Sequence, residues 1–246
     1  QARDLLQRLE AIDASGRATA LGHEMAMLGM HPRLGHMVLR ARGLGLARLA
    51  CEIAAVLSER DPVRGGPGTP DPDLRTRLDA LHGRPLPHGV TADRGGLRRI
   101  ERVVQQIERQ RARSAQSHRA GGSAITATDA TGLLLAFAYP DRIGRARAET
   151  GGRYALSGGR GAVLPGPAAL ARSEYIVVAA LDAGEREARI QLAAPLDPQQ
   201  LEAHFADSIE ESTLVEWDPR SETVAARRLR RLGQLVLREE PLHRLG

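Results

Sequence analysis

Lysine and asparagine do not occur among the 246 residues, aromatic side chains make up 2% of them, and there is one cysteine, Cys51. Each shortage excludes something. Without lysine there is no GxxxxGK[ST] loop, whose lysine reaches the β/γ-phosphates of a nucleotide, and no Schiff-base chemistry. One cysteine cannot build a disulfide framework or a cysteine–zinc cluster, and it fits a reducing, cytoplasmic compartment. With so few aromatics, cores must be assembled from leucine, valine, alanine and methionine. No signal peptide and no apolar run of membrane-spanning length is present, so no membrane partner is expected.

The motifs of catalysis are also missing. His23, His31, His36, His82, His88, His118, His204 and His243 form neither HExxH nor HxH, and no metal site is assigned. There is no GxSxG nucleophile elbow. Gly159-Arg160-Gly161 lacks the βαβ setting of a dinucleotide fingerprint and reads as a hairpin turn. Glu210-Glu211 and Glu239-Glu240 read as solvated charge. No catalytic, cofactor-binding or metal residue is therefore named. What is abundant is arginine, which supplies all 35 basic residues and a net charge of +5. Such an excess is first a sign of GC-rich coding, and it permits a polyanionic partner without requiring one.

Read in order, the chain is helical and then mixed. It begins without methionine and inside a helical pattern, as a piece of a longer protein would. Leu5, Leu6, Leu9 and Ile12 mark a first helix, and Asp13, Ser15 and Gly16 a turn. Thr19 is placed to cap a second helix carrying Leu21, Met25 and Leu28. His31-Pro32 breaks it, since a residue before proline leaves the α region and proline suits a helix's first turn. Leu34, Met37, Val38 and Ala41 then share one face. Further helices are expected over 46–60, after an Asp71-Pro72 cap with Leu74, Leu78 and Leu81, and from Leu97 to about Ser114. Cys51 lies off the apolar stripe of its helix. Residues 118–124 read as a linker. Beyond it, a short helix ends at Pro140, and the period changes to two. Gly152–Leu164 reads as a hairpin, Glu174–Ala183 as a buried strand with Glu187–Ala194 its antiparallel partner, and 196–206 as a helix. Three strands at 213–218, 222–229 and 233–238 complete five or six, a count that suits one small closed barrel of oligonucleotide-binding type. The fold class is thus α+β: an all-helical region followed by a small OB-like β-barrel.

Two arginine-rich stretches are candidate phosphate contacts, because guanidinium forks pair with phosphate oxygens and release counterions. One is the polar side of the long helix, with Arg98, Arg102 and Arg109. The other is Arg142, Arg145, Arg147, Arg153 and Arg160 leading into and along the first barrel strands, beside Tyr154. These positions suit a single strand tracking an OB surface. Trp217 and Phe205 read as core.

With these segments in place the chain resembles the C-terminal portion of bacterial HrpB-type ATP-dependent RNA helicases of the DEAH/RHA group. The resemblance rests on LEAIDASGRATALGHEMAMLGMHPRLGHMVLRA (9–41), AAVLSERDP (54–62), AYPDRIGRAR (138–147), GRYALSGGRGAVL (152–164) and VEWDPRSETVAARRLRRLGQLVL (215–237). LGxxMAxLxxHPRL points only to the wider group, whereas AYPDRI with GRY and GRGA narrows it. The resemblance implies the end of a winged-helix domain over 1–30, a ratchet-like helical bundle over 31–117 and an OB-like domain over 125–246. It implies single-stranded nucleic acid as partner, RNA ahead of DNA, and contact with upstream RecA-like domains. ATP and Mg2+ would belong to those domains, which lie outside this sequence, so the chain alone is expected to hydrolyse no ATP. Where the family often has Asn before the hairpin glycine, this chain has Gly158. A protein-interaction module without nucleic-acid contact is the alternative reading.

Overall fold

The computed structural model describes residues 2–65, 71–114, 130–147, 151–166, 168–182, 187–218 and 223–242. The linker at 118–124, the cap of the following helix at Thr128 or Asp129, and His118 and His243 lie outside the described residues.

The helical region holds α1 (Ala2–Arg8), α2 (Ala20–Met27), α3 (Pro32–Arg40), α4 (Ala47–Ser58), α5 (Leu74–Leu81) and α6 (Arg94–Ser114). Thr19 caps α2 as its type and place require, its hydroxyl accepting from the Gly22 amide at 2.9 Å. Pro32 opens α3, with His31 as the cap. The cap of α5 is Asp73, whose carboxylate accepts from the Arg75 amide at 2.9 Å. Asp71 instead holds the turn before it, accepting from the Asp73 amide and the Thr76 hydroxyl. Two short strands, β1 (Val63–Arg64) and β2 (Thr91–Ala92), pair antiparallel and close the loops around α5. They are too short to leave a period in the sequence.

Helix α4 is buried on nearly every side, Cys51 and Glu52 included. Burial first of all pushes the Cys51 thiol up to about 11. The thiolate is therefore scarce, and the sulfur is a packing atom. A thiol reagent at pH 8 should modify the native chain only at the rate at which it opens, and the unfolded chain at once. Rapid stoichiometric labelling without unfolding would contradict this placement.

Helix α7 (Ala130–Ala138) starts the second region and is wholly buried. It packs on α3 from one side and on β6 and β7 from the other. At Gly132 the approach is so close that an added Cβ would lie 1.9 Å from the Pro195 carbonyl oxygen. A closed barrel follows, made of β3 (Ile143–Ala146), β4 (Arg153–Leu156), β5 (Gly161–Val163), β6 (Tyr175–Leu181) and β7 (Ala188–Leu196). Its strands run β3-β4-β5-β7-β6 around the wall, and β6 closes on β3. The β5–β7 pair is parallel and the others are antiparallel. Tyr154, Leu156, Ile176, Val178 and Ile190 belong to the barrel interior. Tyr175, Val177 and Ala179 point out into the core shared with the helices. Strand β6 is thus covered on both faces, which explains its unbroken apolar run.

The last three strands are the main correction to the expected architecture. After α8 (Pro198–Phe205), β8 (Ile209–Asp218), β9 (Thr223–Leu232) and β10 (Leu235–Leu242) form a separate antiparallel sheet in the order β10-β9-β8. They are not staves of the barrel. Leu232, Leu235 and Leu237 anchor one end of this sheet in the common core, while the far end of the β8–β9 hairpin stands clear of it.

Candidate nucleic-acid interface

Helix α6 sorts its side chains by its own period. Ile100, Val104 and Ile107 are buried against the bundle. Residues 98, 102 and 109 are four and seven apart, so at 100° per residue they fall within about 40° of one another, on the side away from that core. The result is a stripe of three exposed guanidiniums about 16 Å long. Among the described residues no carboxylate pairs with Arg98, Arg102 or Arg109, whereas Arg99 lies 3.8 Å from Asp93 and Glu108 3.4 Å from Arg48. The stripe presents fixed positive charge, with the exposed Gln105 on the same side of the helix and no aromatic side chain among its described residues.

The barrel arginines divide. Arg142 is half-buried; it donates to the Ala179 carbonyl at 2.9 Å and lies 5.1 Å from the Tyr139 ring centre. Arg145 donates to the Val236 and Leu237 carbonyls at 3.1 and 3.0 Å and meets Glu174 at 3.5 Å, tying the barrel to β10. Arg153 and Arg147 both turn to Glu187, at 3.3 and 3.9 Å. Arg160 is exposed, and with Arg142 it borders a cleft of about 290 Å³ that Asp141 and Asp182 also line. The structure therefore brings Arg142 and Arg160 together, and groups Arg147 with Arg153 around one carboxylate. It does not join them into a continuous groove.

Tyr154 is corrected outright. It is fully buried in the barrel, and its hydroxyl donates to the Leu170 and Ser173 carbonyls at 2.8 and 3.1 Å. Its ring cannot reach a base. Of the two aromatics expected in the core, Phe205 is there, stacked 5.7 Å from Phe137, but Trp217 is 61% exposed.

What the sequence reading missed is the seam between helices and barrel. Arg33 on α3 forks onto Asp141, its two terminal nitrogens donating to the two carboxylate oxygens at 2.6 and 2.8 Å. It also donates to the Ala138 carbonyl at 2.9 Å and lies 4.9 Å from the Tyr139 ring centre. Burial opposes the charge on Asp141, but the Arg33 hydrogen bonds and charge outweigh it and hold the carboxyl below the usual carboxylate range. One turn further, His36 Nδ1 donates to the Phe137 carbonyl at 2.6 Å. A second tie runs from the Ala193 amide on β7 to the Pro72 carbonyl, 2.8 Å. The available signal was the pair of tripeptides His-Pro-Arg and Pro-Asp-Arg, which set Arg33 and Asp141 each directly after a proline.

Burial holds His36 neutral, lowering it from its ordinary value of 6.5. Below that value the unfolded chain binds a proton that the folded chain refuses, so stability should fall as pH drops through 6.5. Denaturant midpoints measured between pH 8 and 5 test this. His36→Gln should flatten the profile if this ring is its source.

Two family models match parts of the chain. Residues 208–242 match the family model described as "ATP-dependent RNA helicase HrpB, connector region". Residues 2–30 match "Helicase associated domain (HA2), winged-helix". The ATP-dependent RNA helicase HrpB of Escherichia coli (strain K12) is 35% identical over 243 residues, which is 98% of this chain and 26% of that protein. A crystal structure of the E. coli DExH-box NTPase HrpB superposes on all of this chain and 27% of its own, with a TM-score of 0.73 and 29% identity. A second, of the Escherichia coli DEAH/RHA helicase HrpB, gives 0.72 and 30%, again covering 100% of this chain and 27% of its own. The chain thus spans about a quarter of the length of these relatives.

Proposed function

We propose, on the premise that this chain is homologous to the C-terminal region of HrpB-type ATP-dependent RNA helicases, that it is the accessory region holding a single nucleic-acid strand for an ATP-driven motor. ATP and Mg2+ belong to that motor, and the chain itself contributes no hydrolytic residue. Residues 1–30 are read as the end of a winged helix, 31–117 as the ratchet bundle and the barrel as an OB domain. Its strand order, with one parallel pair, supports the last of these readings.

The observation that carries the proposal is the arginine stripe of α6. Three exposed guanidiniums have no carboxylate partner among the described residues, and each gains by meeting a phosphate. Arg160 is a second contact at the barrel. Arg142 and Arg145 act at one remove, by fixing the barrel against its neighbours. A strand gripped through its phosphates is held whatever its sequence, as a motor that must move along it requires. The test is RNA binding as a function of salt for the chain and for its Arg98→Glu/Arg102→Glu/Arg109→Glu variant. An unchanged affinity and salt slope would leave the clamp without its main surface.

A further inference from the structure

Strand β8 is an edge. It pairs with β9 through a ten-residue register, and among the described residues no strand lies along its other side. Its residues 211–217 are all exposed, so both of its faces are open at that end as well as its edge. The alternation of the strand gives those faces different chemistry. On one, Thr213, Val215 and Trp217 follow Glu211 in a row. The register sets Trp217 opposite Val224 and Val215 opposite Ala226, which makes a continuous apolar patch. Val215 is 51%, Trp217 61% and Val224 59% exposed. The other face carries Glu210, Ser212, Leu214 and Glu216. No basic residue occurs in Ile209–Asp218.

An edge protected only against aggregation would be charged on its apolar face, interrupted by proline or bent by a bulge. Here the one charge on that face is Glu211, at the inner end of the row, and the stretch beyond it is uncharged and holds the chain's single tryptophan. The only register shift in this sheet lies in the β9–β10 pair. The neighbour that β8 already has shows what it accepts. Strand β9 brings Arg227, Arg228, Arg230 and Arg231, of which Arg230 reaches Glu211 at 3.3 Å and Arg227 reaches Glu216 at 4.0 Å.

We infer that the free edge of β8 is a docking site for an extended, arginine-bearing strand of a partner protein. The partner strand adds to the sheet through backbone hydrogen bonds. Its arginines lie over Glu210 and Glu216, and its alternate apolar side chains cover Val215 and Trp217. A second copy of β8 would set carboxylate against carboxylate across the new ladder, and a nucleic acid would bring phosphates to the same carboxylates. Both are disfavoured by the charge that selects arginine.

Because Trp217 is the only tryptophan, its emission reports the patch directly. The chain is titrated with a blocked decapeptide of alternating arginine and valine, with its glutamate–valine counterpart, with an arginine–valine peptide N-methylated at alternate residues, and with oligouridylate. The inference predicts a saturable blue shift with the first peptide alone. It also predicts at least tenfold weaker binding in the Glu210→Arg/Glu216→Arg variant, whose changes are at exposed positions. No response to the arginine–valine peptide overturns it. So does an equal response to the glutamate peptide, which would mean apolar adhesion, or to the N-methylated one, which would mean no ladder. A shift produced by oligouridylate, or by raising the chain concentration alone, would assign the patch to nucleic acid or to a second copy and equally overturn the inference.

Discussion

Replacing Arg33 by alanine should lower the thermal midpoint of the chain by roughly 5–10 °C, corresponding to about 2–3 kcal/mol. Breaking a buried pair from one side typically costs more, about 3–5 kcal/mol. Asp141 keeps 27% of its side chain in contact with solvent, against 10% for Arg33, and part of its charge can be rehydrated once the partner is gone. The loss is greater than that of one ion pair because Arg33 also satisfies the Ala138 carbonyl at the end of α7, which the variant leaves buried and unpaired. The apolar contact between α3 and α7 remains, so the variant should stay folded at room temperature. A midpoint within 2 °C or so of the parent would show that packing alone fixes the seam.

The same pair makes a prediction in pH. The Asp141 carboxyl is held below its ordinary value of 3.8. A lowered acid contributes stability that is complete above its unfolded value and disappears as pH falls through its folded value. Asp141→Asn should therefore destabilise the chain at pH 7 and lose that deficit as pH falls below 3.8 and on through the lowered folded value, where the parent's carboxyl also becomes neutral. Combining Arg33→Met with Asp141→Leu should recover part of the loss of either single change, because two apolar groups replace the pair without leaving a charge behind. The cycle separates the worth of the pair from the cost of stranding one member.

Local rules made the helices legible. Thr19 and the His31-Pro32 break act within one turn, and α6 announces its two sides through spacings of three and four. The barrel showed its strands but not its membership. Whether β8, β9 and β10 close a barrel or form a second sheet depends on which distant edges meet, and nothing in a period of two encodes that. The site residues divide on the same ground. An arginine stripe on a helix is a local pattern, so Arg98, Arg102 and Arg109 could be placed together from spacing alone. Arg142, Arg145 and Tyr154 could not be judged, because their partners at Ala179, Val236 and Leu170 lie 37, 91 and 16 residues away. Tyr154 looked like a platform only because aromatic residues beside arginines often are. Trp217 erred in the other direction, since an apolar residue in an alternating strand is assigned to the core unless the far face is known to be open.

Reversing the α6 stripe should have the largest effect on binding. Each phosphate neutralised on a single strand contributes roughly 0.7 to the slope of log K against log salt. Three contacts therefore supply a slope of about 2 and, near 0.1 M salt, about a hundredfold in affinity. The variant Arg98→Glu/Arg102→Glu/Arg109→Glu loses that and adds repulsion, so binding of a short oligouridylate should weaken by at least that factor and its salt slope should flatten by about 2. Stability should hardly change, because the three side chains are exposed, none has a carboxylate partner among the described residues, and the apolar face of α6 is untouched. Arg147→Glu/Arg153→Glu is the matched control. Those two arginines already share Glu187, so their reversal should alter the slope far less. If both variants weakened binding equally, general charge would be responsible and the stripe would have no special place. If only the control did, the strand would run along the barrel and away from α6. A loss confined to the stripe, with an unchanged melting curve and a slope reduced by about 2, is the result expected of a surface that holds phosphates and reads no sequence.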